Sequence, residues 1–223
     1  SPQMSRAEFG AFLGDQIDQT AFPVPRWHFR EGGRYVHTFS AIVTKDPDTG
    51  VMNVGVYRGM IGQRDTAPMM LIKGGQHWGQ HFMKYSARGQ PMPVACVIGW
   101  DPIMPFLAGS PLPAGVCEWE VMGAYRGEPV QLVKCETVDL EVPAGAEIVM
   151  EGFISDDQSG WEMEGPFGEF TGYVSDLPAR RPTMKVSCIT HRNDPIFVGT
   201  LEGTLPGSAS ENSVMSSVQR SAI

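Results

Sequence analysis

No apolar stretch in the 223-residue sequence approaches the ~20 residues that a membrane-spanning helix needs. The opening residues, SPQMSRAEF, lack the apolar core of a signal peptide. Cysteines are few and scattered: Cys96, Cys117, Cys135 and Cys188 include no C-x-x-C pair, so no disulfide framework is expected and a reducing compartment is the simpler expectation. Positive charge is scarce, with 17 basic against 25 acidic residues and a net charge of −8. That leaves no basic stripe to neutralise phosphates, which argues against a nucleic-acid partner. Internal repeats are absent as well, which removes the solenoid architectures. The expectation is a soluble cytoplasmic protein with neither a nucleic-acid nor a membrane partner.

What is present suits a packed globular chain: 42% of residues are apolar and 19% charged. The length allows one sizeable domain, or one domain with appendages. Glycines (26) and prolines (18) punctuate many short apolar runs. Enrichment in Val, Ile, Tyr and Thr between turn residues predicts strands over Tyr35–Val43, Met52–Arg58, Met69–Lys73, Val94–Ile98, Val130–Lys134, Ile148–Phe153 and Lys185–Thr190. Helices are expected over Arg6–Ile17, over His77–Ala87 and in a polar tail near Ser208–Gln219. In the second of these, Trp78, Phe82 and Tyr85 recur at helical spacing and predict a buried face. The fold class is therefore mainly β with a few helices (α+β), arranged as a barrel or sandwich.

Three stretches concentrate polar residues that could carry chemistry. In NVGVYR, Asn53 and Arg58 are five apart and would face opposite ways on a regular strand. They can converge only if the strand ends or kinks between them, which Gly55 permits; the plainer reading is an exposed arginine at a strand end. In GGQHWGQHF, a Gly-Gly pair leads through Gln76 and His77 into a helix, whose first N–H groups suit an anion. His77 and His81 have the spacing of an H-x-x-x-H metal pair but lack the intervening glutamate of zinc peptidases. His81 falls among apolar residues and reads as a core histidine; His77 is the better ligand. In VCEWEVMG, Glu118 and Glu120 are expected on one face of an extended segment, where they could bind a divalent cation or simply be solvated.

The stretch EGPFGEF, from Glu164 to Phe170, is harder to treat as plain surface. Pro166 fixes φ while Gly165 and Gly168 open angles closed to other residues, so the segment must turn. A turn can bring Glu164 and Glu169 together. At ~4 Å their repulsion would be worth about 4 kcal/mol at an effective dielectric of about 20. One acid would then stay protonated as a general acid, and a nearby arginine such as Arg58 would hold the other ionised.

Read together, the runs GGRYVHTF, NVGVYRGM, GGQH, VIGWDPI, LVKCETVDLEVPAGAEIVMEG and EGPFGEFTGY resemble the UbiD-type decarboxylases, which use prenylated FMN. The resemblance spans about residues 18 to 200 in the family's order. It implies a split β-barrel of the flavin-reductase, FMN-binding type. It also implies that Asn53, His77 and Glu118 hold a Mn2+ bridging to the flavin phosphate. Cofactor contacts fall at Val56, Tyr57 and Arg58, at Gln76 and His77, and at the Ser110–Pro111 loop. A monovalent cation, usually K+, sits on carbonyls near Val54 and Leu107–Ser110. The family's catalytic network falls on Arg58, Glu164 and Glu169, with Glu169 as proton donor and Arg58 binding the substrate carboxylate.

The implied reaction is reversible, non-oxidative decarboxylation of an aromatic, heteroaromatic or α,β-unsaturated acid, with the flavin as the electron sink that side chains lack. A flavin prenyltransferase supplies the cofactor, and the full-length form is a homo-oligomer. Family chains are about twice this length. Residues 1–17 thus correspond to a linker from an N-terminal domain, 18–205 to the cofactor-binding domain, and 206–223 to the start of a C-terminal one. Two rivals stand beside this reading: a non-catalytic assembly subunit of a multi-chain carboxylase, and a plain FMN reductase on the same barrel. A scaffold has no need of the three acid–base positions, and a reductase has no need of the metal trio.

Overall fold

In the computed structural model, which describes residues 9–113, 115–175, 177–201 and 203, strands predominate and helices are few. The first strands are β1 (Phe9–Leu13), β2 (Tyr35–His37), β3 (Ala41–Lys45), β4 (Met52–Val56), β5 (Gly59–Met60), β6 (Thr66–Pro68) and β7 (Met92–Ile98). The second half adds β8 (Leu132–Lys134), β9 (Glu141–Pro143), β10 (Ile148–Ile154), β11 (Glu162–Glu164), β12 (Phe167–Gly168), β13 (Val174–Ser175), β14 (Ala179–Arg181) and β15 (Thr183–Arg192). The α-helices are α1 (His77–Ala87), α2 (Ile103–Ala108) and α3 (Glu118–Arg126).

The main sheet is antiparallel, in the order β1-β15-β10-β7-β3-β4. At ten residues, β15 is long enough for β6 and β1 to pair with successive parts of it. Both faces of this sheet are covered. On β7, Val94, Cys96 and Ile98 join the core that holds Trp78 and Phe82 of α1, while Ala95 and Val97 join a second core with Met104, Trp119 and Met122 of α2 and α3. A strand buried on both faces reads as a continuous apolar run, which is how Val94–Ile98 looks in the sequence.

Several expectations need correction. The helix expected over Arg6–Ile17 is, within the described residues, strand β1 followed by a 3-10 turn at Gly14–Gln16. Gly10 and Gly14 weaken a helix there, and the edge of β15 offers a full ladder from Phe9↔Arg192 to Leu13↔Cys188. The Tyr35–Val43 strand is two strands in different sheets, broken at Thr38–Ser40, where the His37 ring and Ser40 Oγ are hydrogen-bonded at 3.1 Å. Met69–Lys73 is not a strand: the ladder with β15 ends at Pro68, and beyond it Met69 has one hydrogen bond to Pro182 O and an isolated bridge to Gly59. Val130–Lys134 shortens to β8. Helices α2 and α3 were not expected. The tail near Ser208–Gln219 lies outside the described residues.

All four cysteines are free. Among the described residues no helix is long and apolar enough to cross a membrane.

Candidate functional site

Strand β4 ends at Val56, before its alternation reaches Arg58. Asn53 and Arg58 consequently line one cavity of about 610 Å3, together with Val56 and Tyr57. Of the two readings left open for this pair, convergence is the one observed. Behind the wall, Tyr57 stacks on Trp78 at 4.2 Å between ring centroids, and Arg58 O accepts a hydrogen bond from Met70 N at 3.1 Å. These contacts bind the end of the strand to the start of α1.

Two helices begin at this cavity. Gln76 caps α1 and His77 is its first residue; Glu118 is the first residue of α3, and all three line the cavity. Free N–H groups and the helix dipole give each mouth a partial positive charge, which suits an anion. His77 Nδ1 lies 3.2 Å from Asn53 Oδ1, and Glu118 Oε2 accepts from Val54 N at 2.7 Å. Ser110 and Pro111, after α2, complete this wall.

Glu118 is buried, and among the described residues no arginine or lysine pairs with it. Burial pushes its carboxyl up to about 6, although the Val54 hydrogen bond opposes the shift. A buried carboxylate beside an imidazole and an amide oxygen is a donor set suited to a hard or borderline divalent cation. Among the described residues no three His, Cys, Asp or Glu side chains cluster as metal ligands, and this group contains only two of those types. Glu120, expected on the same face, is exposed instead, because helical residues two apart point in different directions.

Opposite this wall lies the acidic turn. The backbone reverses after β11, with Gly165 at φ +95° and a cis Gly165–Pro166 peptide. Glu164 and Glu169 meet through Arg58 rather than by direct approach. Arg58 donates to Glu164 from Nε (2.9 Å, to Oε1) and Nη2 (3.2 Å, to Oε2), and to Glu169 from Nη1. The two acids are unequal: the Glu164 side chain is 1% exposed, whereas that of Glu169 is 29% exposed and lines the cavity. Glu164 lies outside the cavity lining. Burial alone would weaken the charge on Arg58, but the hydrogen bonds and field of Glu164, with Glu169 behind them, hold its pKa above the usual value.

His81 is a core histidine, as expected: buried, 3.0 Å from Thr44 Oγ1, and held down to about 4 by burial. No H-x-x-x-H pair forms, since His77 turns to Asn53 and His81 to Thr44. Sequence reasoning missed Tyr35, whose hydroxyl donates to Glu164 Oε1 at 2.6 Å, and Phe167, whose ring lies under Arg58. Nothing local to GGRYVHTF marks a contact 129 residues away. For α3, the signal was available: Gly127, in the left-handed conformation, ends the helix, and Trp119, Met122 and Gly123 sit at helical spacing.

Comparison with known proteins gives a consistent set of relatives. Residues 3–205 match the family model described as UbiD, 3-octaprenyl-4-hydroxybenzoate carboxy-lyase Rift-related domain. The pyrrole-2-carboxylic acid decarboxylase of Pseudomonas aeruginosa is 39% identical over 195 residues, covering 87% of this chain and 39% of the relative. The phenolic acid decarboxylase of Streptomyces sp. is 35% identical over 192 residues, covering 82% and 39%. Among solved structures, an evolved dimeric form of HmfF from Pelotomaculum thermopropionicum, in complex with prFMN, superposes with a TM-score of 0.82 at 34% identity. That match covers 93% of this chain and 46% of the other. Vanillic acid decarboxylase of Sedimentibacter hydroxybenzoicus, in closed form, gives 0.81 at 32% identity, covering 88% and 41%. The chain thus spans about two fifths of the length of the curated relatives it matches.

Proposed function

The chain belongs to the UbiD family, and on that premise we propose that it is the cofactor-binding core of a prenylated-FMN-dependent carboxy-lyase. Its substrate class is an aromatic, heteroaromatic or α,β-unsaturated carboxylic acid, and the reaction is reversible. We read the fold as a split barrel of the flavin-reductase type and residues 18–205 as its cofactor-binding domain. The observation that carries this reading is the Arg58 fork between a buried Glu164 and a partly exposed, cavity-lining Glu169.

The cavity fits the cofactor. Its volume lies within the ~300–1,000 Å3 range of ligand pockets, Val56, Met70, Ile72 and Ala108 give it an apolar wall, and two helix mouths suit a phosphate. Asn53, His77 and Glu118 would hold Mn2+, whose role is to clamp the phosphate. K+ would sit on carbonyls near Val54 and Leu107–Ser110. Prenylated FMN, when bound, supplies the electron sink for the electron pair left as the C–C bond to CO2 breaks.

The chain's own residues do the rest. Arg58, charged at all working pH values, draws the substrate carboxylate to the acidic end of the cavity. Glu169 gives its proton to the carbon that CO2 has left. It is the acid able to do so, being the one of the pair that faces the cavity. Glu164, shut away from solvent, balances the guanidinium charge and keeps Arg58 from turning onto Glu169 alone.

The test is Glu169→Gln in protein co-expressed with a flavin prenyltransferase, assayed with pyrrole-2-carboxylate and with a phenolic acid. Turnover should fall at least 100-fold, within the usual range for loss of a general acid, while the bound-flavin spectrum stays as in the parent. Full activity in Glu169→Gln removes the proton-donor assignment. Absence of bound flavin in the parent removes the cofactor.

A further inference from the structure

Tyr35 is fully buried at the start of β2, and it touches both groups that set the orientation of Arg58. Its hydroxyl donates to Glu164 Oε1 at 2.6 Å, a short charge-assisted bond. Its ring packs on Phe167 at 4.4 Å between centroids, and the Arg58 guanidinium carbon lies 4.9 Å from the centre of that same Phe167 ring.

The Glu164 carboxylate has four lone-pair directions to fill. Oε1 takes Arg58 Nε and Tyr35; Oε2 takes Arg58 Nη2, with Arg181 Nε farther off at 3.7 Å. The two-point grip of Arg58 aligns the carboxylate with the guanidinium, but the pair can still swing together, because rotation about the last side-chain bond of Glu164 is soft. A donor from Tyr35 fixes that rotation. The guanidinium is rigid and planar, so fixing the carboxylate that grips Nε and Nη2 also fixes where Nη1 points, which is at Glu169.

We propose that Tyr35 is a positioning residue, which holds the Glu164 carboxylate in place and thereby aims Arg58 at Glu169. This rests on the decarboxylase reading above for its kinetic consequence, though not for its structural one. Burial, and then the hydrogen bond to Glu164, push the phenol well above its usual range, so the hydroxyl stays protonated and can serve as a donor. A neighbouring clamp supports the same turn: Gly32 N donates to Pro166 O at 2.8 Å, and buried Glu31 accepts from the backbone of Trp27, His28 and Gly168.

The experiment has two arms. In the first, cofactor-free protein labelled with 15N-arginine is followed by NMR, and the Arg58 Nε–H signal is assigned by its loss in Arg58→Lys. Tyr35→Phe keeps the ring against Phe167 and should speed exchange of that proton with solvent about tenfold, because the carboxylate that grips it is no longer held. 3-Fluorotyrosine placed at position 35, a stronger donor of the same shape, should keep the exchange as slow as in the parent. In the second arm, the loaded Tyr35→Phe protein should lose about tenfold in kcat for pyrrole-2-carboxylate with KM within twofold, the scale of a lost hydrogen bond to a charged group. An unchanged Arg58 Nε–H exchange rate in Tyr35→Phe overturns the proposal whatever the kinetics. If the parent protein does not decarboxylate, the decarboxylase reading fails while the exchange measurement still decides the role of Tyr35.

Discussion

At the scale of single residues, the contrast between Glu118 and Glu164 is instructive. Both are buried carboxylates. Glu164 has Arg58 and Tyr35, whereas Glu118 has a backbone N–H and no cationic partner among the described residues. The sign of the consequence follows. The folded-state value for Glu118, about 6, lies above its ordinary 4.5, so the native state binds more protons between these values. Stability therefore falls as pH rises through that window. In chelator at pH 7, Glu118→Gln should stabilise the chain by about 1–2 kcal/mol, seen as a higher melting temperature. The same substitution should abolish Mn2+ binding in a calorimetric titration. In the parent, apparent Mn2+ affinity should fall as pH drops through about 6, because protons compete for the same oxygen. A site that is more stable when broken is typical of a binding site held ready for its ligand.

At the scale of elements, the site depends on where β4, α1 and α3 stop and start. Helix α3 delivers Glu118 from its first turn and is closed by Gly127 at φ +73°. An alanine at 127 meets no clash but must take a left-handed conformation, so Gly127→Ala should cost about 1 kcal/mol. The melting temperature should drop by roughly 2–4 °C, with Mn2+ binding preserved. The acidic turn depends on a different restriction. A Cβ on Gly168 would lie 2.2 Å from His28 Nδ1, so the strand after Pro166 can approach the 27–32 loop only without a side chain there. The first restriction is set by the chain's own φ, the second by the His28 ring across the loop. That is why turn chemistry in the sequence could foresee a reversal at EGPFGEF but not which loop it packs against.

At the scale of the molecule, two apolar cores hold one sheet between them, and a buried polar residue within such packing couples stability to pH. His81 of α1 packs against Thr44 of β3 with its folded-state value depressed to about 4 by burial. The unfolded chain titrates near 6.5, so between these values it binds more protons than the native state. Its contribution is fully present above pH 6.5 and is lost as pH falls through 4. His37, depressed to about 3, acts in the same direction. Thermal unfolding should show stability declining by a few kcal/mol from pH 7 to pH 4. The slope should be shallower in His81→Phe, which removes one of these two buried imidazoles.

How much of this was legible beforehand depends on how local each determinant is. The strand cores at Ala41–Val43, Met52–Val56, Val94–Ile98 and Ile148–Phe153, and the helix His77–Ala87, were readable because runs of β-branched residues and 3.6-residue spacing are properties of neighbouring positions. The bounds of the site were also readable: Arg58 beside a strand end, His77 at a helix mouth, two acids across a forced turn. Phe9–Leu13 was misread, since only the free edge of β15, nearly 180 residues away, favours a strand over a helix there. The extended reading of Glu118 failed for a related reason: burial of Trp119 and Met122 against the second core, not local propensity, makes the segment helical. By itself, then, the sequence determined the chemistry available, through residue types, turn-forming spacers and apolar periodicity. Tertiary structure alone decided which of these groups share a cavity, that Arg58 stands between Glu164 and Glu169, and that Tyr35 holds the buried one. Such contacts depend on distances across the sheet, and those emerge only when the two cores pack.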